Sequence, residues 1–293
     1  MLRDNKNTFL KKIKHNAKII QEVALEDYND KNFIIKCLTI NGAAIKYVNK
    51  EFKNDRDVIL TAVRQNGMAI RHIAETYKED PEIVKEAIAQ NGAVLAIVHP
   101  SFRKDILIIY SAVESSPEMI QLADSTFLGD KDLIMRVIEK SPKLLTLAEE
   151  SLKRDEEIVS TVVDRTPMGL CWIDPKYKSD KKFVSEINQK KYFSDKGQAL
   201  RNHSFKCADE SLKKDKEYVL EIVHKNKSAF RYLDESLKND YSFVLDILRS
   251  SDIKFRDIPE NLRSNESFVK DAMKIKPNIV KKWQLDSRRI RIR

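Results

Sequence analysis

The stretch Asp55-Arg56-Asp57-Val58-Ile59-Leu60-Thr61-Ala62-Val63-Arg64-Gln65-Asn66-Gly67-Met68-Ala69-Ile70-Arg71-His72-Ile73-Ala74-Glu75-Thr76-Tyr77-Lys78-Glu79 is one period of a 25-residue repeat. Aspartate stands at 30, 55, 80, 105, 130, 155 and 180. The phase runs back to Asn5 and, after one gap of 35 residues, forward through Asp215, Asp240 and Asn265. Eleven units on this register fill nearly the whole chain of 293 residues and leave no room for a second domain. Counting the Asp or Asn as position 1, position 5 is apolar in every unit, from Phe9 and Ile34 to Val244 and Val269. Position 16 is equally strict, from Ile20 and Ile45 to Phe255 and Val280. Apolar spacing at 4, 5, 8 and 9 marks one face of a helix, and spacing at 16, 19 and 23 marks a face of a second.

Capping chemistry sets the helix boundaries. The first backbone N–H groups of a helix have no partner within it, and a short side-chain oxygen can accept from them. Asp at position 1 suits that role for the first helix. At position 12, Ser116, Ser141 and Thr166 precede Pro117, Pro142 and Pro167, and proline is favoured at a first helical position. Elsewhere position 12 begins Asn41-Gly42, Asn66-Gly67 or Asn91-Gly92, a pair suited to a left-handed turn. Each unit thus reads as an αα-hairpin of two helices of about eight to ten residues, too short to persist alone. The expected fold is all-α: a solenoid of eleven such hairpins, each touching its neighbours. Its ends are more polar, with Thr8 and Lys12 in the first unit and Ser287 in the last. Residues 1–179 hold seven regular repeats, 180–214 an irregular one with ten extra residues, and 215–293 three repeats and a basic tail.

Phe52-Lys53-Asn54-Asp55-Arg56-Asp57-Val58-Ile59, then Val63-Arg64-Gln65-Asn66-Gly67, and later Leu237-Lys238-Asn239-Asp240, resemble the tandem helical repeat known as domain of unknown function 4116. The likeness covers units two to seven well, nine and ten fairly, and one, eight and eleven poorly. It implies a helical repeat protein, often from bacteria living inside eukaryotic cells, where some members are secreted effectors. It implies no reaction and no catalytic residue.

Composition agrees with a soluble chain. No apolar run approaches the roughly 18 residues needed to cross a bilayer, and Met1 to Lys14 is too polar for a signal peptide. Cys37, Cys171 and Cys207 are odd in number and widely spaced, which excludes a disulfide framework and suits a reducing compartment; the resemblance implies that this is bacterial cytoplasm or the cytosol of a host. Six glycines disfavour phosphate loops and most α/β enzymes. The aspartates read as N-caps rather than a cation ladder, and the five histidines are scattered, so no metal or cofactor is expected. His203 and Cys207, four apart, could begin a nucleophilic pair or half a zinc site; ordinary packing is the favoured reading.

Charge is more informative. Lys and Arg against Asp and Glu give +5 over residues 1–54, −5 over 55–179 and +9 over 180–293. Position 17, expected on the exposed face, is Lys46, Arg71, then neutral from Ala96 to Cys171, then Lys206, Arg231, Arg256 and Lys281. Those last four would form a cationic row for an acidic protein segment, a phosphate backbone or an anionic membrane. In the fifth unit, Ile106, Leu107 and Tyr110 occupy exposed positions, with Val94 and Ile97 just before, suggesting an apolar contact surface. The insert Lys190 to Ser204 adds Tyr192, Phe193 and His203, with Ser194 or Asp195 expected to cap a longer helix bearing Ala199, Leu200 and His203. The function expected is therefore non-enzymatic: a scaffold that binds a macromolecule, above all a protein. A nucleic-acid or membrane binder using the basic row is the first alternative, and an enzyme with a dispersed site near residues 190–207 the second.

Overall fold

In the computed structural model, residues 2–193, 199–200, 202–278 and 280 are described. The described chain is all-α, apart from one antiparallel pair of two-residue strands, Tyr192–Phe193 with Ala199–Leu200. Two compact units divide it, Met1–Ala148 and Glu149–Arg293.

Within both units the same three pieces recur. A ten-residue α-helix occupies positions 2 to 11, as in Lys31–Ile40, Arg56–Gln65, Pro81–Gln90, Glu156–Arg165 and Tyr241–Ser250. The aspartates cap these helices as their spacing indicates: the Asp55 carboxylate accepts from the N–H groups of Asp57 and Val58, and Asp80 from Glu82 and Ile83. Positions 4, 5, 8 and 9 form the core, for example Ile83, Val84, Ala87 and Ile88, each fully buried. The first unit departs from the register, because its helix Leu2–Ile13 already contains Asn5 and leaves it no capping role.

The second helix is shorter and tighter than expected. It is a 3₁₀ helix of up to six residues at positions 13 to 18, such as Gly42–Tyr47, Gly67–His72 and Lys227–Tyr232. The backbone then extends at position 19, as at Val48 and Ile73, before a last short turn such as Phe52–Asn54 or Glu235–Lys238. The inward positions explain this. Gly42, Ile45 and Val48 are buried, as are Gly67, Ile70 and Ile73, and a spacing of three is the period of a 3₁₀ helix. Val94, read above as outward-facing, is one of the inward residues and fully buried.

Asn-Gly also acts differently from the left-handed turn expected of it. Asn41, Asn66 and Asn91 have extended backbones, and their side chains cap the 3₁₀ helix by accepting from Ala43, Met68 and Ala93. The glycines answer to crowding. A Cβ on Gly42 or Gly67 would lie 2.3 Å from the carbonyl oxygen of Ala62 or Ala87, and one on Gly92 2.0 Å from that of Ala112. Each of those alanines sits at position 8 of the following repeat. Position 11 of that repeat completes the joint: Gly42 donates to Gln65 Oε1 at 2.6 Å, Gly67 to Gln90 Oε1 at 2.5 Å and Gly92 to Ser115 Oγ at 2.7 Å. Ser116 and Ser141 make no capping bond, although Thr166 accepts from Met168.

Two further bonds recur between repeats. The N–H at position 20 donates to the position 24 carbonyl of the preceding repeat, in Ala74 to Lys53, Asp124 to Arg103, Asp174 to Lys153, Asp209 to Lys178 and Asp234 to Lys213. A cation at position 2 pairs with the capping aspartate of the next repeat: Lys31 with Asp55, Arg56 with Asp80, Lys181 with Asp215 and Lys216 with Asp240. Such exposed pairs contribute only about 0–1 kcal/mol each.

Candidate functional site

The C-terminal end of the 3₁₀ helix carries an outward column whose chemistry changes from repeat to repeat. Position 17 is exposed at Lys46, Arg71, Ala96, Gln121, Thr146, Lys206, Arg231 and Arg256, and partly exposed at Cys171. In two places within the Glu149–Arg293 unit its neighbour is position 18 of the following repeat. Arg231 Nη2 lies 2.8 Å from Asp257 Oδ1, and Cys171 is disulfide-bonded to Cys207 with Cα atoms 4.8 Å apart, within the usual range for a disulfide. Both pairs join position 17 to position 18 one repeat on. The seam they define changes chemistry along its length.

This disulfide overturns the expectation that three separated cysteines form none. The signal was present but hidden by the insertion: without the ten extra residues, 171 and 207 would be 26 apart, the same separation as 231 and 257. It also removes Cys207 from any pairing with His203. The His203 ring instead meets the Tyr232 hydroxyl, 2.9 Å from its Nδ1. Cys37 is fully buried, and burial pushes its thiol up to about 12, so it stays protonated and unreactive.

The C-terminal cationic row is less uniform than its sequence suggests. Lys206 and Arg256 are exposed, but Arg231 is neutralised by Asp257, and Lys281 lies outside the described residues. Nearby lysines are also held: Lys213 by Glu210, Lys238 by Glu235 and Lys216 by Asp240. The N-terminal counterpart is different. Lys46, Arg71 and Lys53 have no carboxylate partner among the described residues, and the charge of each holds the His72 imidazole below its ordinary value. Lys53, at position 24, escaped the sequence reading, which followed position 17 alone. Its ammonium donates to the Lys46 carbonyl at 2.8 Å, a contact repeated where Lys178 reaches the Cys171 carbonyl at 2.9 Å. The signal was the column of Lys or Arg at 53, 78, 103, 153, 178, 213, 238 and 263.

The fifth unit presents fewer apolar groups than expected. Leu107 is 70% exposed and Ile97 36%, whereas Ile106 and Tyr110 are half-buried. The Tyr110 hydroxyl donates to Asp130 at 3.0 Å and its ring lies 5.3 Å from the Arg136 guanidinium. Burial, with Asp130 beside it, pushes the phenol up to about 12. Here the ion ladder lapses, because Pro81 and Ile106 stand at position 2, where six of the eleven repeats carry Lys or Arg.

The insertion folds back instead of extending a helix. Tyr192 is buried at 3% exposure and donates to the Val163 carbonyl at 2.8 Å, Phe193 is 59% exposed, and Ser194 and Asp195 lie outside the described residues. Ala199 and Leu200 pair as a strand, and Ser204–Cys207 forms the 3₁₀ turn. Asn188, at a core position, is 2% exposed and is satisfied by Asn226, whose Nδ2 donates to its Oδ1 at 3.0 Å. Asn202 donates to the carbonyls of Ile187, Asn188 and Lys190 at 2.7 to 3.0 Å, closing the end of the helix Lys181–Gln189. The Ser204 hydroxyl is buried with no hydrogen-bond partner among the described residues.

The family model described as domain of unknown function (DUF4116) matches residues 30–78, 130–178, 180–238 and 215–253, together more than half of the sequence. The chain belongs to the DUF4116 family. The interval 79–129, where the ion ladder lapses and Leu107 is exposed, lies between these matches. No curated protein and no solved structure matches the chain. Among the described residues no helix is long and apolar enough to cross a membrane, and no three His, Cys, Asp or Glu side chains are grouped to hold a metal ion.

Proposed function

We propose that this DUF4116 chain is a non-catalytic α-solenoid whose 25-residue repeats stack in register and bind a protein partner along the position 17–18 seam. Stacking is supported by the recurrent position 20 to position 24 hydrogen bond, which occurs within each of the two units. The observation that carries the binding reading is a division of labour among side chains. Position 1 is Asp or Asn and position 12 mostly Asn, Ser or Thr, and both stand at the starts of helices, where they are spent on caps. Position 17 is exposed, makes few of these bonds, and passes from Lys and Arg through Ala, Gln and Thr to Cys and back to Lys and Arg. A repeat array that fixes its caps and varies an outward column presents a surface able to specify a partner. Lys206, Arg231, Arg256, Ile97, Leu107 and Phe193 are exposed members of the residues singled out by sequence. Neutralisation of Arg231 weakens the rival reading of an unbroken phosphate track.

Photo-crosslinking side chains placed at Arg71, Gln121 or Arg256 should trap one common partner, and those placed at Lys36 or Glu186, exposed on the first helices, should not. Equal capture from both sets would remove the seam from the account.

A further inference from the structure

The cations of the second and third repeats stand on the face proposed above, yet their chemistry is separable from any macromolecular partner. Lys46 and Arg71 hold position 17 of successive repeats, and Lys53 and Lys78 hold position 24. Lys53 is fixed at both ends: its carbonyl accepts from Ala74 at 3.2 Å, and its ammonium donates to the Lys46 carbonyl. His72, at position 18, is half-buried, and by the register of Arg231 with Asp257 it is the seam partner of Lys46. Where the C-terminal Arg231 has Asp257 opposite it, this pair has an imidazole. Glu75 is the acid beside this group, and it is bound to Lys78 at 2.6 Å. One repeat further, Arg103 continues the position 24 column, and its Nε is buried with no acceptor among the described residues.

Uncompensated positive charge held this closely is unfavourable until an anion joins it. The extent of the patch indicates the anion. The next seam residues are Ala96, Ile97, Gln121, Leu122, Thr146 and Leu147, so beyond Arg103 an extended polyanion would find no cation at positions 17 and 18 of these repeats. Cations spaced at about one helix-pair distance of 10 Å suit a small group carrying several phosphates. We infer that Lys46, Lys53, Arg71 and His72, flanked by Lys78 and Arg103, form a binding site for a compact, multiply phosphorylated ligand.

His72 gives the site a pH dependence with a definite sign. Burial first, then Lys46, Lys53, Arg71 and Lys78, hold the imidazole below its ordinary value, so the free protein carries it neutral near pH 7. A bound polyanion favours the imidazolium, binding takes up a proton, and affinity rises as the pH falls. The adjoining 3₁₀ helix Gly92–Ala96 brings no charged side chain. The α-helices beneath bring Arg56, Asp57, Arg64, Glu82, Lys85 and Glu86, of which Arg56 is bound to Glu82 and Arg64 to Glu86.

The inference takes its location from the proposed seam, but the test needs no macromolecular partner, so either can fail alone. Inositol hexakisphosphate would be titrated calorimetrically into the full chain at about 0.15 M salt. Binding should tighten several-fold between about pH 8 and pH 6 in the parent and lose that dependence in His72→Gln. Lys46→Glu with Arg71→Glu should weaken it by about tenfold or more, and Lys206→Glu with Arg256→Glu, which changes net charge equally, should not. Phosphatidylcholine vesicles with and without a phosphoinositide bisphosphate give the second arm: retention by the former alone assigns the phosphates to a lipid headgroup, and binding of the soluble probe alone to a free metabolite. The inference is overturned by no binding in either arm, by equal losses in the two double variants with helical circular dichroism intact, or by tighter binding of a single-stranded oligonucleotide than of either phosphate probe.

Discussion

Between Asn41 and Ser115, one repeat is fitted to the next through its backbone. Between Cys171 and Ser228, side chains and a covalent bond do the same work. In the first region, glycine at position 13 lets the 3₁₀ helix approach the position 8 carbonyl of the next repeat, and Gln or Ser at position 11 fixes the distance. In the second, the ten-residue insertion interrupts that fit. Asn188, Asn202, Asn226 and Ser228 bond across the gap, and the Cys171–Cys207 disulfide closes it at the surface. A regular joint needs only small residues in the right places. An interrupted one needs several specific polar partners at once, because each buried amide left unsatisfied would be destabilising.

Breaking the covalent part of the second joint should have the largest effect. The disulfide spans 36 residues, and chain-entropy reasoning gives such a closure about 3–4 kcal/mol. Cys171→Ser, or reduction of the parent, should lower the urea midpoint of the Glu149–Arg293 unit by a corresponding amount and leave residues 1–148 as stable as before. An unchanged midpoint would mean that the asparagine network alone holds this joint. Helical circular dichroism should survive both the reductant and a chelator.

The backbone joint is tested by Gly67→Ala, which places a Cβ 2.3 Å from the Ala87 oxygen. The expected loss is about 1–3 kcal/mol, the usual range for overpacking. Pro142→Ala is the control, since that repeat already carries a Cβ at position 13, and its change should stay below about 1 kcal/mol. Similar losses in the two would show that crowding is not what selects glycine.

The ion ladder shared by both regions makes a smaller contribution, visible in acid. Lys181 holds the Asp215 carboxyl below the ordinary range, with the Tyr218 N–H assisting, and Lys216, then the Phe243 N–H, do the same for Asp240. Groups lowered in this way stabilise the fold fully above the unfolded aspartate value near 4 and lose that contribution as the pH falls through the folded value. Lys216→Met should therefore reduce stability at neutral pH and flatten its decline below about pH 4. A steeper decline would contradict the assignment. Smallest of all, Leu107→Glu, on an exposed side chain where the ladder lapses, should change stability by less than about 0.5 kcal/mol in thermal unfolding.

How much of this the sequence discloses depends on whether a feature is periodic. The caps, the core at positions 4, 5, 8 and 9, and the exposure of position 17 all recur every 25 residues, so Asp30 to Asp240 and Ile34 to Val244 reveal them directly. The 3₁₀ geometry was also written there, in the spacing of three from Gly42 to Ile45 to Val48. It was masked by position 23, which extends the pattern toward a longer α-helix although the chain straightens at position 19. Contacts between repeats are harder to read. That Gly67 lies against Ala87, or Arg231 against Asp257, follows from register across a joint, and no local propensity encodes it. The insertion hid Cys171 from Cys207 for the same reason, and the fold-back at Tyr192 depends on Val163, 29 residues away in sequence.

The central claim is that position 17 of one repeat meets position 18 of the next within each of the two compact units. The most direct test carries the Cys171–Cys207 geometry to the N-terminal repeats. In a Cys37→Ala, Cys171→Ser, Cys207→Ser background, Lys46→Cys with His72→Cys should form an intramolecular disulfide on mild oxidation, detected by peptide mass spectrometry. Lys46→Cys with Arg71→Cys, one residue off register, should form far less. Rapid closure of the 46–72 pair with the 46–71 pair left reduced is the predicted result; equal closure of both pairs, or of neither, would contradict the seam.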